Sequence, residues 1–186
     1  MPNLYMIAGP NGAGKTTSAY TLLPSLHIIE FVNADNIARG ISPYNPEDVA
    51  IQAGRVMLQR IDELVKDGKD FALETTLSTL SYKGLINNCK EKGYDIVLIY
   101  VWLTSPELAK QRVQERVARG GHNIPQETIE RRYHKGIINL KKIFLPLCDT
   151  WLIVDNSSSQ FVVVAEYSNG ETKITDNEKY KRIIND

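Results

Sequence analysis

An unbroken apolar run, Leu4-Tyr5-Met6-Ile7-Ala8, stops at Gly9-Pro10-Asn11-Gly12. A run without alternation suits a parallel strand buried on both faces. Residues 15–23 follow as a helix, expected to end at Pro24. Residues 27–32 predict a second strand that leads into Asn33-Ala34-Asp35. From Pro46 to Lys66, Val49, Ala53, Val56, Ile61 and Leu64 recur near helical spacing, with Gly68 just beyond. Phe71-Ala72-Leu73-Glu74 predicts a third strand, followed by a polar turn over residues 75–79 and a helix up to Lys92. The strongest strand pattern covers residues 95–103, where Ile96 to Trp102 run without interruption. Ser105-Pro106-Glu107 then supplies a capping serine, a proline at the first helical position and an acid in the first turn. Helices are predicted over 107–118 and 126–144, separated by Gly120-Gly121-His122-Asn123, and a fifth strand over 150–154.

Strands that alternate with helices argue for a parallel sheet covered by helices on both faces. The C-terminal part departs from that rhythm. Residues 161–167 and 172–175, joined by Ser168-Asn169-Gly170-Glu171, read as a β-hairpin on an asparagine–glycine turn, appended to the main sheet. No internal repeat, low-complexity tract or linker interrupts the chain.

Composition narrows the class. With 186 residues, the chain fits a single domain of about 100–200 residues. Its 22 basic and 22 acidic residues cancel, which argues against wholesale electrostatic binding to nucleic acid or a membrane surface. No stretch reaches the roughly 20 apolar residues that span a bilayer. Met1-Pro2-Asn3 carries no basic start to a secretory leader, so a cytoplasmic domain is the expectation. The 2 cysteines, Cys89 and Cys148, are too few for a disulfide framework or a four-thiolate zinc site and read as free thiols. His27, His122 and His134 lack metal-ligand spacing and read as structural, with His122 a candidate contact from a mobile cover. Trp102 and Trp151 fall inside predicted strands and read as core.

The most specific chemistry is Gly9-Pro10-Asn11-Gly12-Ala13-Gly14-Lys15-Thr16, which satisfies G-x-x-x-x-G-K-[ST] between a predicted strand and a predicted helix. Glycines let the chain curl so that successive N–H groups face a phosphate, and the helix N-terminus adds positive potential. Lys15 is placed to reach the β- and γ-phosphates, and the Thr16 hydroxyl to ligate Mg²⁺. A dinucleotide-binding loop is the nearest rival, because Asp35 lies some 20 residues on. Gly9, Gly12 and Gly14 do not space as G-x-G-x-x-G, however, and Lys15-Thr16 would go unused. Binding of a nucleoside triphosphate follows, with ATP and Mg²⁺ as the cofactors. The predicted fold is therefore α/β: a P-loop NTPase three-layer sandwich with a mostly parallel five-stranded sheet, a helical lid over about 104–145 and a C-terminal β-hairpin over about 160–176.

Three features point from binding to phosphoryl transfer. Asp35 follows the second strand at the edge where open α/β sheets bind ligands, and an aspartate there can take the proton of an attacking hydroxyl; a cap of the next helix is the plain alternative. Glu74-Thr75-Thr76 ends the third strand on the same edge, where it could hold substrate hydroxyls or metal-bound water, or where Thr75 or Thr76 could cap a helix. Arg112, Arg116 and Arg119 fall within about 60° of arc on one helix face. Residues 110–142 hold 9 Lys/Arg against 3 Asp/Glu, so this basic hairpin, broken at Gly120-Gly121, reads as a lid over phosphates rather than a solvated face. The strand that ends Tyr100-Val101-Trp102-Leu103-Thr104 lacks the aspartate many P-loop ATPases place behind Mg²⁺, which suits small kinases better than motor ATPases. Asp35 and Glu74 both remain candidates to support the metal.

Gly9 through Thr17, Asn33-Ala34-Asp35, Glu74-Thr75-Thr76, and Arg116 through Gly120-Gly121-His122 to Pro125 together resemble the zeta-toxin-like P-loop kinases, in particular their small predicted-ATPase branch. The resemblance runs to about residue 155. It implies that Gly9, Pro10, Asn11, Gly12, Ala13, Gly14, Lys15, Thr16 and Thr17 bind ATP and that Asp35 is the base. Glu74 and Thr76, with Asp35, would contact the acceptor, and Arg112, Arg116 and Arg119 would neutralise the transferring phosphate. It further implies that Asn156, in Asp155-Asn156-Ser157, contacts the adenine. Members of that family phosphorylate a sugar hydroxyl of a nucleotide-sugar and are restrained by an antitoxin. A small-molecule acceptor and an antitoxin-like partner are the corresponding expectations here. A kinase for a nucleotide or a nucleic-acid 5′ end, and a nucleotide-dependent ATPase or binding module, are the rival readings.

Overall fold

A computed structural model describes residues 1–121, 123–158 and 160–185. His122, considered above as a contact, lies outside them. In chain order the elements are β1 (Asn3–Ala8), α1 (Lys15–Ser25), β2 (Phe31–Val32), α2 (Ala34–Ile41), a 3₁₀ turn (Pro46–Val49), α3 (Ala50–Lys66), β3 (Phe71–Thr75), α4 (Ser81–Glu91) and β4 (Asp95–Trp102). They continue with α5 (Pro106–Ala118), α6 (Gln126–Asn139), a π-helical turn (Leu140–Phe144), the single turn α7 (Leu145–Leu147), β5 (Thr150–Asp155), β6 (Val162–Ser168), β7 (Glu171–Ile174) and α8 (Asn177–Asn185).

The strands form one sheet in the order β2-β3-β1-β4-β5-β6-β7. β1 sits between β3 and β4 and is parallel to both, with Met6 opposite Leu73 on one side and Leu98 on the other. That central place explains the unbroken apolar run: Leu4, Met6, Ile7 and Ala8 are all fully buried. Successive side chains point to opposite faces. Leu4, Met6 and Ala8 join the larger core with α3, α4, α5 and α6, whereas Ile7 joins Ala19 and Leu23 of α1 on the other face. The result is three layers, as predicted.

The sheet has 7 strands rather than the predicted five, because the C-terminal hairpin is not an appendage. β6 pairs antiparallel with β5, from Trp151 opposite Tyr167 to Asp155 opposite Val162, with a register shift between Ile153 and Val154. Stacking of the Trp151 and Tyr167 rings, 5.7 Å between centroids, seals that pairing. β7 closes the edge with every residue exposed and an ion pair from Lys173 to Glu166.

Other boundaries shift for local reasons. α1 runs on past Pro24 to Ser25 and stops where His27 turns left-handed at φ 58°. That turn sends Ile28 into the α1 core, so only Phe31 and Val32 remain to pair with β3. Pro46 opens a 3₁₀ turn before α3 instead of the long helix itself. α5 and α6 bury Ala109, Val113, Ile129, Tyr133 and Ile137, so their bodies belong to the core. Cys89 and Cys148 are free and buried, and burial pushes their thiols up to about 11 and about 12. No helix among the described residues is long and apolar enough to cross a membrane.

Candidate functional site

β1, β2, β3, β4 and β5 are parallel, so their C-terminal ends share one edge of the sheet. That edge gathers the segments singled out in the sequence: residues 9–16 after β1, 33–35 after β2, 74–76 at the end of β3 and 155–157 at the end of β5. The phosphate loop is tightly enclosed. Gly9 donates its N–H to Thr75 O (3.2 Å), and a Cβ there would lie 2.2 Å from Val101 O. Gly12, at φ 77°, lies so near α5 that a Cβ would meet Ala109 O at 2.8 Å and the Arg112 Cβ at 3.1 Å. Any side chain at either position would push the loop off its supports. α1 starts at Lys15 after Gly14, with no side-chain cap and no acid in its first turn, so its N-terminal N–H groups have no anion of their own.

Lys15 is buried, donating from Nζ to Pro10 O at 3.0 Å and standing 3.7 Å from Glu74 Oε1. Burial holds its ammonium below the ordinary lysine range. The Glu74 and Asp35 carboxylates oppose that shift without reversing it, and Arg116 adds to it. Glu74 Oε2 accepts from Thr16 Oγ1 (2.6 Å) and from Asn33 Nδ2 (2.7 Å). The cap of α2 is Asn33, whose Oδ1 accepts from Asn36 N at 3.0 Å. Asp35 sits in the first turn of α2 and lines a cleft of about 290 Å³ with Asn11, Lys15, Glu74 and Thr76.

The turn after β3 is folded on itself rather than capping α4. Thr75 Oγ1 accepts from Leu77 N (3.0 Å), and Thr76 Oγ1 lies 2.8 Å from Ser78 Oγ. Leu77 is fully buried and left-handed at φ 54°, and its carbonyl accepts from Asn139 Nδ2 of α6.

The arginine row divides. Arg112 reaches back to donate to Ser157 O (3.2 Å). Arg116 is near enough to Lys15 to affect its charge, and Arg119 is the exposed cap residue just beyond the end of the helix. All 3 line a second cleft of about 560 Å³, together with Arg39 of α2. Asn156, expected near an adenine, donates from Nδ2 to Ala13 O at 2.8 Å and so supports the phosphate loop itself.

Arg39 and Arg132 belong to no motif singled out in the sequence, and Asn33 stood there only as the start of Asn33-Ala34-Asp35, yet all three line the clefts. Arg132 of α6 lines the cleft that holds Asp35 and Glu74. It belongs to the basic segment already noted and lies about 60° of arc from the buried Ile129, a flank position that reaches a neighbouring cleft. Among the described residues no cluster of His, Cys, Asp and Glu could hold a metal unaided.

Solved structures share this fold. The complex of AvrRxo1-ORF1 with AvrRxo1-ORF2, solved with ATP, superposes with a TM-score of 0.80 at 18% identity, over 99% of this chain and 64% of that one. The chain thus spans less than two thirds of the length of that relative. The PezAT toxin–antitoxin system of Streptococcus pneumoniae superposes with a TM-score of 0.71 at 18% identity, over 97% of this chain and 78% of the other. A Haemophilus influenzae protein described as uncharacterized is 32% identical over 125 residues, 67% of this chain and 88% of its own length.

Fold and phosphate loop therefore define a P-loop kinase-like α/β protein. The zeta toxin family profile matches residues 1–163, and the chain belongs to that family.

Proposed function

We propose that this protein transfers the γ-phosphoryl group of ATP to a hydroxyl of a small acceptor, with a nucleotide-sugar as the acceptor class its family suggests. The observation that carries the reading is the unequal state of two carboxylates in one cleft. Glu74 is tied to Thr16, Asn33 and Lys15. Among the described residues no hydrogen bond or ion pair engages Asp35, which lines the same cleft. A carboxylate without a competing donor can accept a proton.

In this reading the acceptor oxygen attacks the γ-phosphorus while its proton passes to Asp35. The bond to the β–γ bridging oxygen breaks, and ADP leaves with that electron pair. Residues 9–17 cradle the triphosphate through main-chain N–H groups and the start of α1, Lys15 neutralises its end, and Thr76 with Glu74 lines the acceptor side. Arg112, Arg116 and Arg119 offset the charge of the transferring group. The Thr16 hydroxyl fits Mg²⁺, because donating its proton to Glu74 leaves its lone pairs for a cation. Bound there with the phosphates, Mg²⁺ would supply charge neutralisation, and Glu74 would orient its hydroxyl ligand. The arginine-lined cleft also favours a second reading, an acceptor that carries its own phosphate, such as a nucleotide or a nucleic-acid 5′ end. An antitoxin-like protein partner belongs to the same family-based proposal.

The test is incubation with labelled ATP and a panel of nucleotide-sugars, nucleosides and oligonucleotides, comparing the unsubstituted protein with Asp35→Asn. The expected result is label on one acceptor class, lost by about 10²–10⁴-fold in the variant while ATP binding persists. Label on no acceptor, with slow hydrolysis alone, would leave a nucleotide-dependent binding module as the better reading.

A further inference from the structure

The family match ends at residue 163, before α8, yet α8 reaches the nucleotide edge of the sheet. Lys179 Nζ lies 3.0 Å from Asp155 Oδ2, at the end of β5. Asp155 is only 5% exposed. Its other oxygen, Oδ1, accepts from Ser157 N at 2.8 Å and from Ser157 Oγ, closing a turn around Asn156. Ser157 is fixed from two more directions: Thr104 N donates to its Oγ (2.9 Å), and Arg112 donates to its carbonyl. Arg182, one turn beyond Lys179, donates to Thr104 O at 3.1 Å and lies 5.5 Å over the Trp102 ring. Asn156 stands at the centre of the turn. It donates its backbone N–H to Trp102 O (3.0 Å) and its side-chain amide to Ala13 O in the phosphate loop.

We propose that Lys179 is a positioning residue for the phosphate loop: its ion pair with Asp155 fixes the 155–157 turn, and that turn holds the loop through Asn156 and Ala13. The proposal rests on the triphosphate-binding reading above. The loop needs such a support. Gly14 stands at φ 84° with no side-chain cap, and a Cβ there would already lie 2.9 Å from Asn156 Nδ2, so loop and turn touch directly. A phosphate cradle binds best when its N–H groups are aimed before the ligand arrives, because ordering them afterwards subtracts from affinity. Loss of Lys179 leaves a buried carboxylate without its cation, a cost relieved by moving the turn toward water or by taking up a proton, and either changes how the turn is held. Burial alone would raise the Asp155 carboxyl, but the Ser157 and Lys179 hydrogen bonds outweigh it and hold it below the usual range, as a fully engaged turn requires.

Calorimetric titration of ATP and of inorganic tripolyphosphate into the unsubstituted protein, Lys179→Met, Lys179→Arg and Asn156→Ala tests this, at a temperature where melting curves show each chain folded. Lys179→Met and Asn156→Ala should each weaken ATP and tripolyphosphate by about tenfold and by the same factor, as for a lost buried hydrogen bond. Lys179→Arg, which restores the cation, should recover most of that loss. Unchanged binding of both ligands by folded Lys179→Met, or by Asn156→Ala should Lys179→Met not fold, overturns the proposal. Loss of ATP affinity with tripolyphosphate unchanged also overturns it, since α8 would then act on the base. Failure of the unsubstituted protein to bind either ligand overturns the triphosphate reading and this proposal with it.

Discussion

The Thr16 hydroxyl and the Glu74 carboxylate, 58 residues apart in sequence, meet at 2.6 Å across the sheet edge. Glu74 also accepts from Asn33, so one carboxylate ties the phosphate loop, the start of α2 and the end of β3. A carboxamide cannot replace it. With its carbonyl oxygen in the place of Oε2 it accepts from Thr16 and Asn33 without the help of a negative charge, and its NH₂ then takes the place of Oε1 and faces the Lys15 ammonium. Glu74→Gln should therefore lower phosphoryl transfer by about 10–100-fold, the usual effect of removing a group that orients a metal ligand. Because Glu74 opposes the downward shift of Lys15, the alkaline limb of ATP binding should also move to lower pH in the variant. Steady-state transfer and ATP titrations across pH check both; an unchanged alkaline limb would mean that Glu74 and Lys15 do not interact as described.

How much of this was legible beforehand follows from the range of each signal. The phosphate loop is local, and its spacing alone identified it. Asp35 and Glu74 could be placed together because parallel strands put their C-terminal ends on one edge, whichever strand order holds. The docking of β6 on β5 was not legible, since a hairpin pattern fixes its internal partner but not its outer one. α8 buries Ile183 alone among otherwise half-buried or exposed residues, too weak a stripe to read in nine positions. Arg39 and Arg132 illustrate a third limit. An arginine on a helix declares its charge, but the cleft it lines depends on how the helix is rolled against the sheet. Asn156 entered only through the family resemblance, as an adenine contact, and only the folded chain reveals that its amide faces Ala13.

Gly136 of α6 packs against the turn after β3, where a Cβ would lie 2.6 Å from Thr76 O. Alanine gains about 1 kcal/mol in helix propensity over glycine, but overpacking costs about 1–3 kcal/mol. Overpacking should win here, because the opposing atom is a backbone oxygen in a turn that Asn139 and Thr75 already hold through Leu77. Gly136→Ala should lower the melting temperature by a few degrees and weaken acceptor use more than ATP binding, since Thr76 lines the cleft. Melting curves and a KM for each substrate separate the two effects. A variant that melts higher than the unsubstituted protein would show the turn free to move.

Lys15 poses the opposite balance: on the proposed reading it is a phosphate-binding group kept at a cost in stability. Its native ammonium is harder to keep charged than an ordinary lysine, chiefly because it is buried, and the 3.7 Å pair with Glu74 does not make good the loss. Lys15→Met should therefore stabilise the ligand-free protein by about 1 kcal/mol, typical of a relieved functional site. For a domain of this size that is about 2–4 °C, while the stabilisation by added ATP should vanish. The pH dependence has a definite sign. Between the lowered native value and the ordinary 10.5, the unfolded chain binds the Lys15 proton and the folded chain does not. Stability from this residue accordingly rises with pH through that window. The buried thiols of Cys89 and Cys148, raised by burial, lose stability over an overlapping alkaline range, but they are present in both proteins and cancel in the difference. The melting advantage of Lys15→Met should thus be largest near neutrality and shrink as the pH is raised. A variant that melts lower than the unsubstituted protein at pH 7 would mean that the pair with Glu74 outweighs burial.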